Sequence, residues 1–535
     1  MTPQRGTAQQ RVSNITSTGA PILGINDIDP LPTMREGYAI SMHNFYPANS
    51  SMQTRAGTRK WVEGLPEYVD RLFTYNAIDG SQQFFAATNS GIYDISNDTS
   101  INPALLVHPL TDGAVTTTQY SLPSGQYLVL ANGRDAPALY NGTTWTSFTS
   151  GTGGGAGVVE GGPTTLSSLD RPIVFKGRLW FIEADTLTAW FLDTDALGGT
   201  LTPFHFNGIM PRGGFLYELA TWSYDSGAGM DDNMLVRSSA GDVAIYQGTD
   251  PEDPTAWSLV STYFVAAPVG TISYADLGGD CILLTAAGLV PISKVVSGAA
   301  TESLYENTLS RNISTTLSRL VRSASFSPNW EIHTLTGLNA LVVSIPETAS
   351  DVARQFVMNI QTGAWGEYGL LATCFGVYRG TVYFGTAEGA VFAHDVKNPA
   401  RDNVDYDGSG GTPIISSFLT AFNYYGDPTT LKHYKLLRPI VQASLEPVIR
   451  ATLALDFQLR DTTTFYTPQP PTTGSSEWDS ALWDEGVWGN QLTIYRPWTS
   501  VIGLGFCAAV RVQLTTVAPT SFVAYETVFE TGGAI

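Results

Sequence analysis

A chain of 535 residues is longer than one hydrophobic core supports, and 43% hydrophobic content argues against disorder, so two or more folded domains are expected. Only 14% of residues are charged, against about 25% in ordinary soluble domains, and 48 acidic residues outweigh 28 basic ones to leave a net charge of −20. That balance excludes tight nucleic-acid binding, which needs Lys and Arg to neutralise phosphates; a polar, weakly charged surface suits a protein that packs against neighbours.

Met1 to Ala20 is polar and holds no apolar signal core. No apolar run reaches the roughly 20 residues that span a bilayer. Synthesis in the cytoplasm without stable membrane insertion is expected. Cys281, Cys374 and Cys507 form no Cys-x-x-Cys pair and are expected as buried free thiols.

Along the chain, short apolar runs alternate with Gly- or Asn-centred turns. Gln83 to Ala87 turns at Asn89-Ser90-Gly91 into Ile92 to Ile95, and Gln126 to Leu130 leads through Asn132-Gly133 to Tyr140 and Trp145. Ile173 to Phe175 turns at Lys176-Gly177 into Leu179 to Ile182. Met234 to Ser238 pairs with Val243 to Tyr246, Cys281 to Leu284 with Leu289 to Ile292, and Leu338 to Ile345 with Phe356 to Ile360. Cys374 to Tyr378, Arg379-Gly380 and Val382 to Gly385 close the series. Glycine supplies the positive φ of tight hairpins, and a hairpin buries its apolar face only by stacking on neighbours. The expected fold class is therefore all-β: a β-propeller-like domain of six to eight blades over residues 61–395, with residues 1–60 as an extended arm and first strands. The Gly-rich stretch from Ser150 to Gly162 is expected as a loop.

Residues 301–323 break this texture with near-helical spacing of Leu304, Ile313, Leu317, Leu320 and Val321. Thr301 can cap such a helix, Pro328 follows it, and the basic residues Arg319 and Arg322 near its end suit the dipole. It either packs on its own domain or projects as a subunit-contact helix. A linker is expected at 396–411, followed by a second, antiparallel β domain over 412–535.

Catalytic chemistry has little to stand on. The Gly-rich stretch lacks the Gly-Lys-Ser/Thr of a nucleotide loop, the six histidines stand singly, and no Gly-x-Ser-x-Gly elbow occurs. Asp402, Asp405, Asp407 and Gly408 faintly resemble the start of a calcium loop, but Pro413 stands where its final Glu belongs. Asp250, Glu252 and Asp253 beside Pro251 and Pro254 read as turn formers. Trp478, Trp483 and Trp488 fit neither helix nor strand spacing and read as an aromatic plug or, alternatively, a sugar-stacking platform. No catalytic residue, metal site or cofactor is expected.

The N-terminal stretch carries Ala20-Pro21, Gly24-Ile25-Asn26, Pro30-Leu31, Met34, Gly37-Tyr38-Ala39, Asn44-Phe45-Tyr46-Pro47 and Arg55-Ala56-Gly57. With Phe84 to Tyr93, Asn359 to Trp365, and Phe384-Gly385-Thr386 with Gly389, it resembles the tail nozzle proteins of short-tailed bacteriophages. Arg35 and Asn49-Ser50-Ser51 depart from the family pattern and leave the local turns open. The resemblance implies a virion protein of the tail, non-enzymatic, six copies of which form a homohexameric ring below the tail adaptor, or head-to-tail connector. Tail fibres or spikes would be further partners, and viral DNA would pass without specific binding. An acidic wall would keep like-charged DNA from sticking. The alternative is a host-surface glycan-binding protein or depolymerase of the virion.

Overall fold

The computed structural model describes residues 13–98, 104–225, 230–298, 308–324, 329–347, 352–396, 400–459 and 492–534. The chain is all-β apart from short helical segments and divides into two compact units. Residues 1–58, 357–369 and 395–535 form one unit, and residues 59–356 and 370–394 the other.

The larger unit is propeller-like. Arg71–Asn76, Gln82–Thr88, Gly91–Asp94 and Leu105–His108 make a four-stranded antiparallel blade in simple meander order. Thr116–Leu122 to Trp145–Ser147 and Leu216–Asp225 to Trp257–Phe264 repeat it. Leu169–Phe175 to Gly199–His205 repeat it within a six-stranded sheet, where Thr149–Ser150 and Val158–Gly161 add two parallel strands in place of part of the loop expected at 150–162. A three-stranded sheet (Tyr274–Leu277, Asp280–Thr285, Gly288–Pro291), the hairpin Glu331–Leu335 and Ala340–Ile345, and the strands Cys374–Tyr378, Thr381–Gly385 and Val391–Val396 follow. Six to eight blades are expected from the sequence; the described residues form four full blades, and the rest of the series is made of these shorter sheets.

Turn chemistry explains the hairpins. Lys176 and Gly177 take φ of 48° and 72°, and Arg379 and Gly380 take 49° and 77°, the paired left-handed conformation of the hairpin turn whose twist matches the strands. Packing explains why inner strands are apolar throughout. In Leu179-Trp180-Phe181-Ile182, Leu179 and Phe181 join Tyr120 and Val129 of the preceding blade, while Trp180 and Ile182 join Met234 and Tyr246 of the next. Each blade is thus buried on both faces. The series closes on itself where Cys374, Tyr378 and Tyr383 pack with Phe84 of the first blade. The Phe84 and Tyr378 rings stack 5.0 Å apart.

The smaller unit is woven from distant segments. Ser13–Gly19 pairs with Thr520–Ala534 (Ser13 opposite Glu530), which pairs on its other side with Thr430–Ala443. Thr499–Gly505 extends that sheet. Ala39–His43 pairs with Gly410–Thr420, and that strand with Ala508–Thr516 and then Val448–Leu455. Phe418 bridges the two groups of strands, its ring 5.7 Å from Phe45 and 4.7 Å from Phe522.

Three domain expectations change. The first 58 residues are no separate arm, because their strands pair with the C-terminal ones. Nor is 396–411 a linker: Arg401–Val404 and the start of Gly410–Thr420 lie within it and pair with each other, while 397–399 lie outside the described residues. The smaller unit also takes in residues 357–369 as well as 412–535.

Candidate functional site

The motifs that carry the family resemblance converge in the smaller unit. Gly24, at φ 81°, runs so close to Trp365 that a Cβ there would lie 2.5 Å from the Trp365 backbone N and O. Ile25 N donates to Trp365 O at 2.8 Å, and the fully buried indole of Trp365 anchors the crossing. Asn359 Nδ2 donates to Pro47 O at 2.9 Å. Asn44, also left-handed at φ 56°, donates through Nδ2 to Ile415 O at 2.8 Å. Its Oδ1 accepts from Gly369 N at 3.0 Å and from Arg55 Nε at 2.9 Å.

Arg55 then reaches Asp402 through both terminal nitrogens, at 2.7 and 2.5 Å. This bidentate fork is the strong form of the ion pair and holds Arg55 almost fully buried. Asp402, considered as a calcium ligand, is therefore a partner of Arg55, and Thr58 donates to it as well. Among the described residues, no three His, Cys, Asp or Glu side chains group as a metal site.

The remaining resemblance motifs meet at the closure of the larger unit. Gly389 passes Leu65 so closely that a Cβ would lie 2.2 Å from its carbonyl oxygen, and Gly385 packs on Val69. Phe84 and Tyr383 lie 5.0 Å apart beside them.

A second place with chemistry is a cavity of about 480 Å³ lined by the innermost strands of the propeller. Arg71, Thr117, Arg171, Glu218, Tyr274, Asp276 and His333 supply its polar wall, with Leu72, Phe73, Ile173 and Ile332 among the apolar side chains. Most of its charges are tied together. Arg71 donates to Glu331 and, through Nε, to Val115 O at 3.1 Å. Glu331 also holds His333 Nε2 at 2.8 Å and Phe375 N at 3.2 Å. Burial, reinforced by Arg71, pushes the His333 imidazole down to about 3 and keeps it neutral. Burial likewise lowers Arg71 to about 10. Arg237 donates to Glu218 at 2.5 Å, and Ser273 Oγ to the same carboxylate at 3.0 Å.

Two β-bulges shape this wall. The register of Leu169–Phe175 shifts between Asp170 and Ile173, where Arg171 takes φ 49°. That of Leu216–Asp225 shifts between Leu216 and Glu218. Arg171 lies over the ring of Tyr217 at 4.6 Å and donates to Thr271 O at 2.6 Å, while Tyr217 OH donates to Gly270 O at 2.5 Å. Bulges re-aim side chains in this way.

Of the two readings of the helical segment, packing on its own domain is visible in the burial of its apolar stripe. After a tight turn at Arg311–Ile313, Ser314–Ala324 is helical, with Trp330 Nε1 donating to Ala324 O at its end. Ile313, Leu317, Leu320 and Val321 are all buried within the chain. The stripe is amphipathic, and its own sheet covers it. Leu304, Thr301 and Pro328 lie outside the described residues, as do Trp478, Trp483 and Trp488. The three cysteines are free and buried. Asp253 acts as a turn former, accepting from Thr255 N at 2.8 Å, and Asp250 accepts from Glu252 N at 3.2 Å and from Arg178. No helix among the described residues is long and apolar enough to cross a membrane.

Sequence reasoning missed Arg71, Arg171, Glu218, Glu331 and His333. A signal existed: each stands on the strand that opens an antiparallel hairpin, where a charge interrupts an apolar run, as in Arg71-Leu72-Phe73 and Glu331-Ile332-His333.

By sequence, the chain matches no family model and no curated protein. Among solved structures it is similar to BBS1N in complex with ARL6DN, at 14% identity and TM-score 0.39, over 65% of this chain and 99% of that one. It is also similar to PorZ of Porphyromonas gingivalis, at 13% identity and TM-score 0.35, over 70% of this chain and 44% of PorZ. The computationally designed Ika8 protein compares at 11% identity and TM-score 0.35, over 64% and 100% of the two chains. No functional property transfers from likenesses of this degree.

Proposed function

We propose that the chain is a structural subunit of a short-tailed phage tail nozzle, six copies forming a ring through which genomic DNA is retained and then ejected. The observation that carries this reading is the convergence of its resemblance motifs. Gly24-Ile25-Asn26, Asn44 to Pro47, Arg55-Ala56-Gly57 and Asn359 to Trp365 are far apart in sequence, yet they bond to one another in the smaller unit. Residues that resemble a family's pattern and also interlock are a coherent structural device, which scattered chance matches would not be.

Exposed apolar side chains on the same unit support subunit contact. Ile502 is 82% exposed, Leu504 62%, Ile494 61% and Ile15 64%. All four stand on strands of one sheet, and apolar surface of this kind is usually covered by a partner. The net charge of −20 suits a wall that DNA slides past, its field reaching about 8 Å at physiological salt. The head-to-tail connector and tail fibres or spikes are the further partners in this proposal, which places the chain in the virion tail and assigns it no reaction.

The test is genetic. Particles assembled without this chain should package DNA and then lose it, and supplying the chain should restore retention. Particles that retain and eject DNA normally without it would overturn the reading.

A further inference from the structure

We infer that the axial cavity of the propeller-like unit is a binding site for a neutral polyhydroxylated ligand of about monosaccharide size. Its volume of about 480 Å³ lies within the roughly 300–1,000 Å³ of small-molecule sites. The lining carries Arg71, Arg171, Glu218 and Asp276; Glu331, Asp170 and Arg237 pair with the first three from behind, so both arginines are already neutralised and Asp276 carries the one carboxylate of the lining outside these pairs. Arginines already paired give an anion no net attraction, whereas they still offer a neutral hydroxylated ligand charge-assisted donors, and Asp276 adds an acceptor.

The polar groups left over match hydroxyls in kind. Arg71 uses Nε and Nη1 on Val115 and Glu331, and its Nη2 makes no bond among the described residues. His333 gives its Nε2 proton to Glu331, which leaves Nδ1 as an acceptor. A hydroxyl accepts from the first and donates to the second at once, which neither a carboxylate nor an ammonium does. Thr117, on the second blade, adds a hydroxyl that bonds to nothing else among the described residues. Phe73, Ile173 and Ile332 supply apolar wall for the carbon-bound faces of such a ligand.

The architecture is specialised at this point. Arg171 is a non-glycine residue held at φ 49°, and it sits on a bulge beside a second bulge on the next inner strand. A conformation of this kind is strained and collects at ligand clamps.

Binding to the full purified chain is measured by saturation-transfer NMR and calorimetry. The probes are D-glucose, D-galactose and N-acetyl-D-glucosamine, with inorganic phosphate and citrate as the anionic arm. At least one sugar should bind saturably, with about tenfold weaker affinity in His333→Leu and about threefold weaker in Thr117→Val, which removes one hydroxyl without disturbing a bond. Methyl glycosides that compete would mark the end of a glycan as the source, and glycosides that fail would mark a free sugar. Absence of binding by every sugar, preference for phosphate or citrate, or sugar affinity unchanged in a folded Thr117→Val protein would each overturn the inference. None of these outcomes depends on the ring assembly proposed above.

Discussion

The two units are held together in different ways. In the propeller-like unit, strands adjacent in sequence are adjacent in space, and apolar cores shared between successive blades spread the stabilisation over dozens of side chains. In the smaller unit, segments more than 300 residues apart must meet, and a few polar ties fix them: Arg55 with Asp402, Asn44 with Ile415, Asn359 with Pro47. Redundancy protects the first unit. The second depends on single residues, and its closure requires nearly the whole chain.

That difference predicts where substitutions hurt. Arg55→Ala leaves Asp402 without its bidentate partner and Asn44 half-satisfied, and should cost about 3–5 kcal/mol. Hydrogen exchange should rise across Gly410–Thr420 and Ala39–His43, with the blades unchanged. Uniform destabilisation of both units would break the contrast. Gly24→Ala should cost about 2–3 kcal/mol, because φ 81° strains an L residue and its Cβ meets the Trp365 backbone; thermal unfolding monitored by Trp fluorescence reads it. Phe85→Leu, inside a blade core shared by many partners, should cost only about 1 kcal/mol in denaturant titration.

Two titrating groups near the inner strands sharpen the picture further. Burial, with Asp112 adding to it, pushes the Asp70 carboxyl up to about 6, and its Oδ2 has no partner. The folded state then holds a proton that the unfolded chain releases near 4, so this stabilisation is present below about 4 and lost as pH rises through about 6. Asp70→Asn should flatten that slope and raise stability at pH 7 by about 1 kcal/mol, a figure reduced for the group's partial exposure. His333 has the opposite sign: its folded pKa near 3 lies below the unfolded value near 6.5, so acid favours the unfolded chain across that window. His333→Gln should reduce acid sensitivity between about pH 6 and 4, measured by denaturant midpoint against pH.

The same contrast explains what could be read from the sequence. Hairpins such as Ile173 to Ile182 are local, so the Lys176-Gly177 turn and the apolar runs beside it suffice to place them. The smaller unit was split wrongly because Ser13–Gly19 carries no mark that its partner is Thr520–Ala534; the pairing is a property of the closed fold. Residues 357–369 look like one more hairpin arm, and the contacts of Asn359 with Pro47, Trp365 with Gly24 and Gly369 with Asn44 place them in the other unit. The helix at Ser314–Ala324 was legible from its spacing, but an amphipathic stripe does not tell whether its own sheet or another subunit covers it. Arg71 and Glu331 were passed over because a charge within a strand pattern reads as an exposed position until its partner, 260 residues away, is known.

The central claim, a ring-forming structural subunit, is tested most directly by native mass spectrometry of the purified chain. The account predicts an assembly of six times the 57.5 kDa protomer, lost when Ile502 and Leu504 are both replaced by Asp. A monomer at every concentration, both alone and mixed with the head-to-tail connector, would contradict it.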